Sequence, residues 1–195
     1  MVRIYLIAEV AQLPAARAAL AALPRGAAAV QLRDQAASAR VLLEAAGRLV
    51  SFARTLGAPV LINDRADVAL AAGADGVHLP ARGLSPRDAR TLLGPRALIG
   101  VSCHSADEAA GAHGADFCVF GPVYPTPGKE AQGLAALARA ARATALPVFA
   151  LGGVDATNAA ACIDAGARGA ACIRAVLAAP DPAAAAISLW QAVNA

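Results

Sequence analysis

Gly114-Ala-Asp-Phe-Cys-Val-Phe-Gly-Pro-Val-Tyr-Pro-Thr-Pro-Gly-Lys129 reads as a glycine turn, a short apolar strand and a proline-stiffened loop in immediate succession. Gly114 suits the left-handed cap that returns a helix to a strand, and Phe117 to Phe120 is apolar enough to be that strand. From Gly121 onward three prolines restrict the backbone, while Gly121, Gly128 and the following Gly133 permit turns and close approaches. Thr126 and Lys129 lie near the tip, where a hydroxyl and an ammonium suit a phosphate or pyrophosphate. Taken alone, the loop reads first as a surface turn with an incidental lysine.

The same glycine-then-strand junction recurs at Gly73-Ala-Asp-Gly-Val77 and Gly166-Ala-Arg-Gly-Ala170. Working outward, strands are expected at Arg3 to Ala8, Ala27 to Arg33, Pro59 to Ile62, Gly76 to Leu79, Ala97 to Val101, Phe117 to Phe120, Pro147 to Leu151 and Ala170 to Ile173. Helices fall between them. Pro14 opens one with Ala16, Leu20 and Leu23 on one face, and a longer one buries Leu42, Ala46, Leu49 and Ala53 with Glu44 and Arg48 paired on its wet face. Ser85 with Pro86 and Asp88, and Ser105 with Glu108, are helix-start signatures; Asp155 caps a later helix, and Pro182 to Val193 closes the chain. Eight strands alternating with helices predict an α/β fold of one domain, a compact (β/α)₈ TIM barrel. The alternative is a doubly wound open sheet, but Ala8-Glu-Val-Ala11 follows the first strand where a GxGxxG turn would be needed.

Composition narrows the function classes. Of the 195 residues 58% are hydrophobic, largely alanine, which predicts close-packed helices rather than a disordered tail. No apolar run approaches the ~18 residues of a membrane span, and Met1 to Val10 is too short and too charged for a signal peptide, so a cytoplasmic protein is expected. Cys103, Cys118, Cys162 and Cys172 form no CxxC pair and lie in apolar segments, as buried free thiols do. A net charge of +3 without a basic run, and aromatics at 4%, argue against nucleic acid and for a small anionic ligand.

Most of the distinctive polar residues fall just after expected strands. Gln31 and Arg33 follow the second, Asn63 and Asp64 the third, Ser102 and His104 the fifth, Thr126 and Lys129 the sixth, Gly152 and Gly153 the seventh, Arg174 the eighth; His78 lies in the fourth. In a barrel these loops share one rim, where active sites of this fold sit. Arg33 could bind a ligand or pair with Asp34 or Asp64. Asn63 and Asp64 could instead cap the next helix, and His78 could be a satisfied core histidine. Gly152-Gly153 with the segment around Arg174 matches the phosphate site of such barrels, where backbone N–H groups hold the oxygens.

With these residues placed, the chain resembles the thiamine phosphate synthase and TenI family. The shared motifs are QLRD at 31 to 34, LIND at 61 to 64, GADGVHL at 73 to 79, IGVSCHS at 99 to 105, GADFCVFGPVYPTPGK at 114 to 129 and ALGGV at 150 to 154. The resemblance implies a barrel enzyme of thiamine biosynthesis, usually a homo-oligomer. It implies that Gln31, Arg33, Asn63, Ser102 and Lys129 contact a pyrimidine pyrophosphate and that Asp64 ligates Mg²⁺. Thr126, Gly153 and Ile173 would surround a thiazole phosphate. Two departures stand out: Gln35 replaces a lysine usual in the synthase, and Gly83 replaces a metal carboxylate. Losing a cation and a metal ligand leans the sequence toward a TenI-like thiazole tautomerase, which needs no metal. Pro122 stands where some such members carry a histidine, leaving His78 and His104 as proton carriers. The alternatives are an active synthase using Mg²⁺, with Arg82 or Arg174 compensating, and a non-catalytic binding protein.

Overall fold

In the computed structural model, which describes residues 1–195, eight parallel strands close into a barrel in chain order. They are β1 (Ile4–Ala8), β2 (Ala28–Leu32), β3 (Val60–Asn63), β4 (Gly76–Leu79), β5 (Leu98–Cys103), β6 (Phe117–Phe120), β7 (Val148–Ala150) and β8 (Gly169–Cys172). Closure comes from β8 pairing back onto β1, with Ile4 opposite Ala170 and Leu6 opposite Cys172. The open-sheet alternative is thereby excluded. Around the barrel run α1 (Leu13–Ala22), α2 (Ala39–Thr55), α3 (Ala66–Ala72), α4 (Pro86–Leu93), α5 (Ala106–Ala110), α6 (Gly133–Ala143), α7 (Ala159–Asp164), the short α8 (Arg174–Leu177) and α9 (Pro182–Ala192).

The strands are buried on both faces, which is why they read as continuous apolar runs rather than alternating ones. One face packs on the helices, whose inner stripes are largely alanine, as in Ala45, Ala46 and Ala53 of α2 beside Leu42 and Leu49. These short side chains let the helices approach closely. The other face fills the interior with Tyr5, Ile7, Ala29, Leu61, Val119, Phe149 and Ala171. Tyr5 meets Phe117 edge to face at 5.2 Å, and Phe117 meets Phe149 at 5.7 Å. Gly100 makes room for this layer, since a Cβ there would stand 2.4 Å from Phe117 Cζ and 2.8 Å from His78 Nδ1.

Side-chain alternation carries this inner face outward to the rim. Two residues beyond Ala29 is Gln31, beyond Leu61 is Asn63, beyond Gly100 is Ser102, and beyond Ala171 is Ile173. Gln31, Asn63, Ser102 and Ile173 therefore continue the interior layer, whereas Asp64 and Arg174 fall one residue off it.

Several local expectations change. The regular helix expected to be capped by Asp155 starts at Ala159; Asp155 caps the turn that leads into it, its carboxylate accepting the Thr157 amide at 2.8 Å and hydroxyl at 2.6 Å and its carbonyl the Ala159 amide at 3.0 Å. Glu44 and Arg48 form no ion pair; the chain's two ion pairs are Arg65–Asp67 and Arg90–Asp116. Ser105 caps α5 as expected, but Glu108 accepts from the amide of His104 rather than of Ser105. All four cysteines are buried and free. No helix is long and apolar enough to cross a membrane.

Candidate active site at the carboxyl rim

Two cavities of about 710 Å³ each occupy opposite ends of the barrel. The one at the amino-terminal end is mainly apolar, lined by Tyr5, Phe117, Phe149 and the loops before the strands. The one at the carboxyl rim is lined by Ser102, His104, Thr126, Lys129, Gly152, Gly153, Ile173 and Arg174, together with Glu9 and Asp155. Its polar lining, on the end where this fold places its chemistry, makes it the candidate functional site.

The loop after β6 forms one wall. Thr126-Pro-Gly-Lys129 closes a tight turn, with the Lys129 amide donating to the Thr126 carbonyl at 3.0 Å and Gly128 at φ +74°. Proline then glycine at the central positions is the pairing such a turn requires. It places the Thr126 hydroxyl and the Lys129 ammonium together at the mouth. The loop rests on the β7 turn: a Cβ on Gly152 would come 2.5 Å from Pro122 Cβ, and one on Gly153 2.7 Å from Tyr124 Cβ. The backbone N–H groups of Gly152, Gly153, Ile173 and Arg174 donate to nothing within the chain. Four unclaimed donors beside an exposed guanidinium form a ready anion cradle.

Beside the cavity, the ends of β2 and β3 carry a second polar group. Gln31 Nε2 donates to Asn63 Oδ1 at 2.8 Å, while the buried Gln31 Oε1 has no partner. Arg33 forms no ion pair, since Asp34 instead accepts the amides of Val10, Ala36 and Ala37 at 3.1–3.2 Å. Neither Asn63 nor Asp64 caps a helix, because α3 begins after Arg65 with no side-chain cap. Asp64 holds φ +60°, the one non-glycine residue in the left-handed region, and its carboxylate accepts no hydrogen bond. No cluster of three potential metal ligands gathers anywhere.

The two histidines occupy different situations. His104 lines the cavity, and its Nδ1 lies 2.6 Å from the Gly121 carbonyl, which can only accept. The neutral ring therefore carries its proton on Nδ1 and leaves Nε2 as a lone pair. His78 is buried behind Ser102, with Nε2 3.0 Å from Ser102 Oγ and Nδ1 3.2 Å from the Tyr5 hydroxyl. Burial, followed by the charge of Arg33, lowers its pKa to about 3. An unfolded histidine titrates near 6.5, so between about 6.5 and 3 the unfolded chain binds a proton that the folded one refuses. Stability is thus lost as pH falls through that window. The urea midpoint should drop from pH 6.5 to 5, and His78→Gln should reduce that drop; equal pH dependence in both proteins would contradict it.

The family model described as thiamine monophosphate synthase matches residues 4–176. The chain belongs to the thiamine monophosphate synthase family. It is 50% identical over 167 residues to a protein of Geobacter sulfurreducens named putative thiamine-phosphate synthase, covering 83% of this chain and 78% of that one. To the thiamine-phosphate synthase of Thiobacillus denitrificans it is 45% identical over 167 residues, covering 83% and 79%. The solved thiamine phosphate pyrophosphorylase of Pyrococcus furiosus superposes with a TM-score of 0.88 at 33% identity, covering 99% and 96%. A 3-hexulose-6-phosphate synthase, at 21% identity and a TM-score of 0.71, shares the fold.

Within this barrel, the structure gathers Ser102, His104, Thr126, Lys129, Gly152, Gly153, Ile173 and Arg174 around one cavity. It sets Gln31, Arg33, Asn63 and Asp64 on the adjoining rim and His78 beneath. Tyr5 and Gln132 were not legible as site residues. Gln132 donates to the Gly121 carbonyl at 3.2 Å, sharing it with His104. The one sequence signal for Tyr5 was a hydroxyl-bearing ring in an otherwise apolar strand.

Proposed function

We propose that the chain is a thiamine phosphate synthase, joining hydroxymethylpyrimidine pyrophosphate to a thiazole phosphate with loss of pyrophosphate. The observation that carries this reading is the presence at the rim of two polar groups, each with unmet hydrogen-bonding capacity. One is the cradle of free N–H groups with Arg174; the other is Gln31, Arg33, Asn63 and Asp64. A reaction of two phosphorylated partners needs two such sites, whereas a tautomerase needs one. The naming of relatives at 45–50% identity as synthases supports the same choice over the tautomerase toward which Gln35 and Gly83 lean.

In this scheme the thiazole phosphate lies in the cradle of Gly152, Gly153 and Arg174, with Thr126 across it. The orphaned Gln31 Oε1 accepts from an amine on the pyrimidine ring and fixes its orientation. Lys129 and Arg33 face the charge that builds on the pyrophosphate as the carbon–oxygen bond breaks. The thiazole nitrogen, held close, then supplies the electron pair for the new carbon–nitrogen bond. Asp64 is one unpartnered carboxylate, which fits Mg²⁺ held jointly with substrate phosphates, since that ion keeps several waters and takes one or two carboxylates. When bound, Mg²⁺ neutralises part of the pyrophosphate charge. A Cβ on Gly83 would stand 2.8 Å from Asp64 Oδ1, so the backbone at 83 lies against this carboxylate. Incubation of both substrates with Mg²⁺ should yield thiamine phosphate; no product sinks the proposal.

The tautomerase remains the second reading because of His104, whose Nε2 lone pair belongs to a residue of the cavity. If the protein accelerates aromatisation of the thiazole carboxylate phosphate, His104→Gln should lower that rate about 10²-fold or more. An unchanged rate would remove His104 as the proton carrier.

A further inference from the structure

The interior of the barrel contains one hydrogen-bonded line from its aromatic layer to the rim. Tyr5 is 1% exposed, and its hydroxyl touches His78 Nδ1 and no other polar atom of a side chain or backbone. His78 Nε2 touches Ser102 Oγ, and Ser102 lines the rim cavity. We propose that Tyr5 is a positioning residue, which acts through His78 to aim the Ser102 hydroxyl proton into the active-site cavity. This rests on the synthase reading for the identity of the acceptor, an anionic oxygen of a substrate, but not for the relay itself.

The direction follows from counting donors. A buried phenol must place its proton somewhere, and Nδ1 of His78 is its sole acceptor. Nδ1 therefore carries the lone pair, and in the neutral ring the proton is on Nε2. Nε2 then donates to Ser102 Oγ, which leaves the serine proton nothing to bond except what enters the cavity. Burial raises the phenol well above its ordinary value, so Tyr5 remains a donor. Gly100 belongs to the same device, because any side chain there would displace the His78 ring. The serine is thus presented as a donor prepared before substrate arrives, at no reorganisation when charge develops.

The test combines a tautomer readout with kinetics. In ¹⁵N spectra of histidine-labelled wild-type protein, His78 should be neutral and protonated on Nε2 at pH 6 to 8. A proton on Nδ1 overturns the proposal without any variant. In Tyr5→Phe the Nδ1-protonated form should appear, and kcat/KM for thiamine phosphate formation should fall about tenfold. Ser102→Ala should lose more, and adding Tyr5→Phe to it should change kcat/KM by less than twofold, because the tyrosine then has no serine to aim. Multiplicative losses, or a Tyr5→Phe enzyme that keeps a pure Nε2 tautomer and wild-type kinetics, would overturn it. Should wild type make no thiamine phosphate, the synthase reading fails while the tautomer spectra still decide the relay.

Discussion

Lys129→Ala is expected to lower the rate of thiamine phosphate formation by about 10³-fold while leaving the melting temperature unchanged. The magnitude is that of one preorganised charge removed from a departing anion, about 4 kcal/mol of barrier. Lys129 has little to do with the fold. Its side chain is exposed and makes no hydrogen bond or ion pair, and its tie to the turn is the backbone amide that alanine retains. With a lysine missing at position 35, this ammonium carries more of the pyrophosphate charge than it would beside a neighbour. Steady-state assays at saturating substrates, with thermal melts of both proteins, check both halves. A variant within tenfold of wild type would remove Lys129 from the site, and a lowered melting temperature would make the lysine structural.

Asp64 should show stability and activity moving in opposite directions. Its left-handed backbone is strained for any residue with a side chain, by about 1 kcal/mol, and its carboxylate receives no hydrogen bond in return. Asp64→Gly should therefore stabilise the fold by about 1 kcal/mol in urea unfolding, since glycine adopts that conformation freely. The same substitution removes the carboxylate that would meet Mg²⁺. Formation of thiamine phosphate should fall about 10²- to 10³-fold, and the Mg²⁺ concentration for half-maximal rate should rise at least tenfold. Asp64→Asn keeps the shape and tolerates the same backbone, so it should lose the rate without gaining the stability. A glycine variant that is both stable and fully active would show that the strain serves nothing in catalysis.

The barrel was legible because its information is local and repeated. Each helix-to-strand return announces itself, as Gly73 and Gly114 do, and runs such as Phe117 to Phe120 are bounded sharply on both sides. Helix starts marked by a hydroxyl and a nearby acid, at Ser85 and Ser105, were likewise readable. Asp155 was readable as a cap too, although the turn it caps, closed by the Ala159 amide on its carbonyl, precedes the regular helix. The rim residues could be named from where strands end. What could not be read was which polar groups satisfy each other. Arg33 beside Asp34 looks like a pair, yet Asp34 spends its oxygens on three amides of the loop. Tyr5 and His78, 73 positions apart, meet only because β1 and β4 face each other across the closed barrel, which no local pattern reports.

Because Gln31, Asn63, Ser102 and Ile173 continue the same inward-facing layer, the strands act as rulers as well as walls. Deleting Val60 from β3 would advance the chain by one residue: Leu61 would turn toward the helices and Asn63 would leave Gln31. Loops outside the rim can lengthen or change composition without that effect. Reshaping this protein toward a new phosphorylated substrate would therefore best proceed by editing loop ends while the spacing within each strand is left untouched.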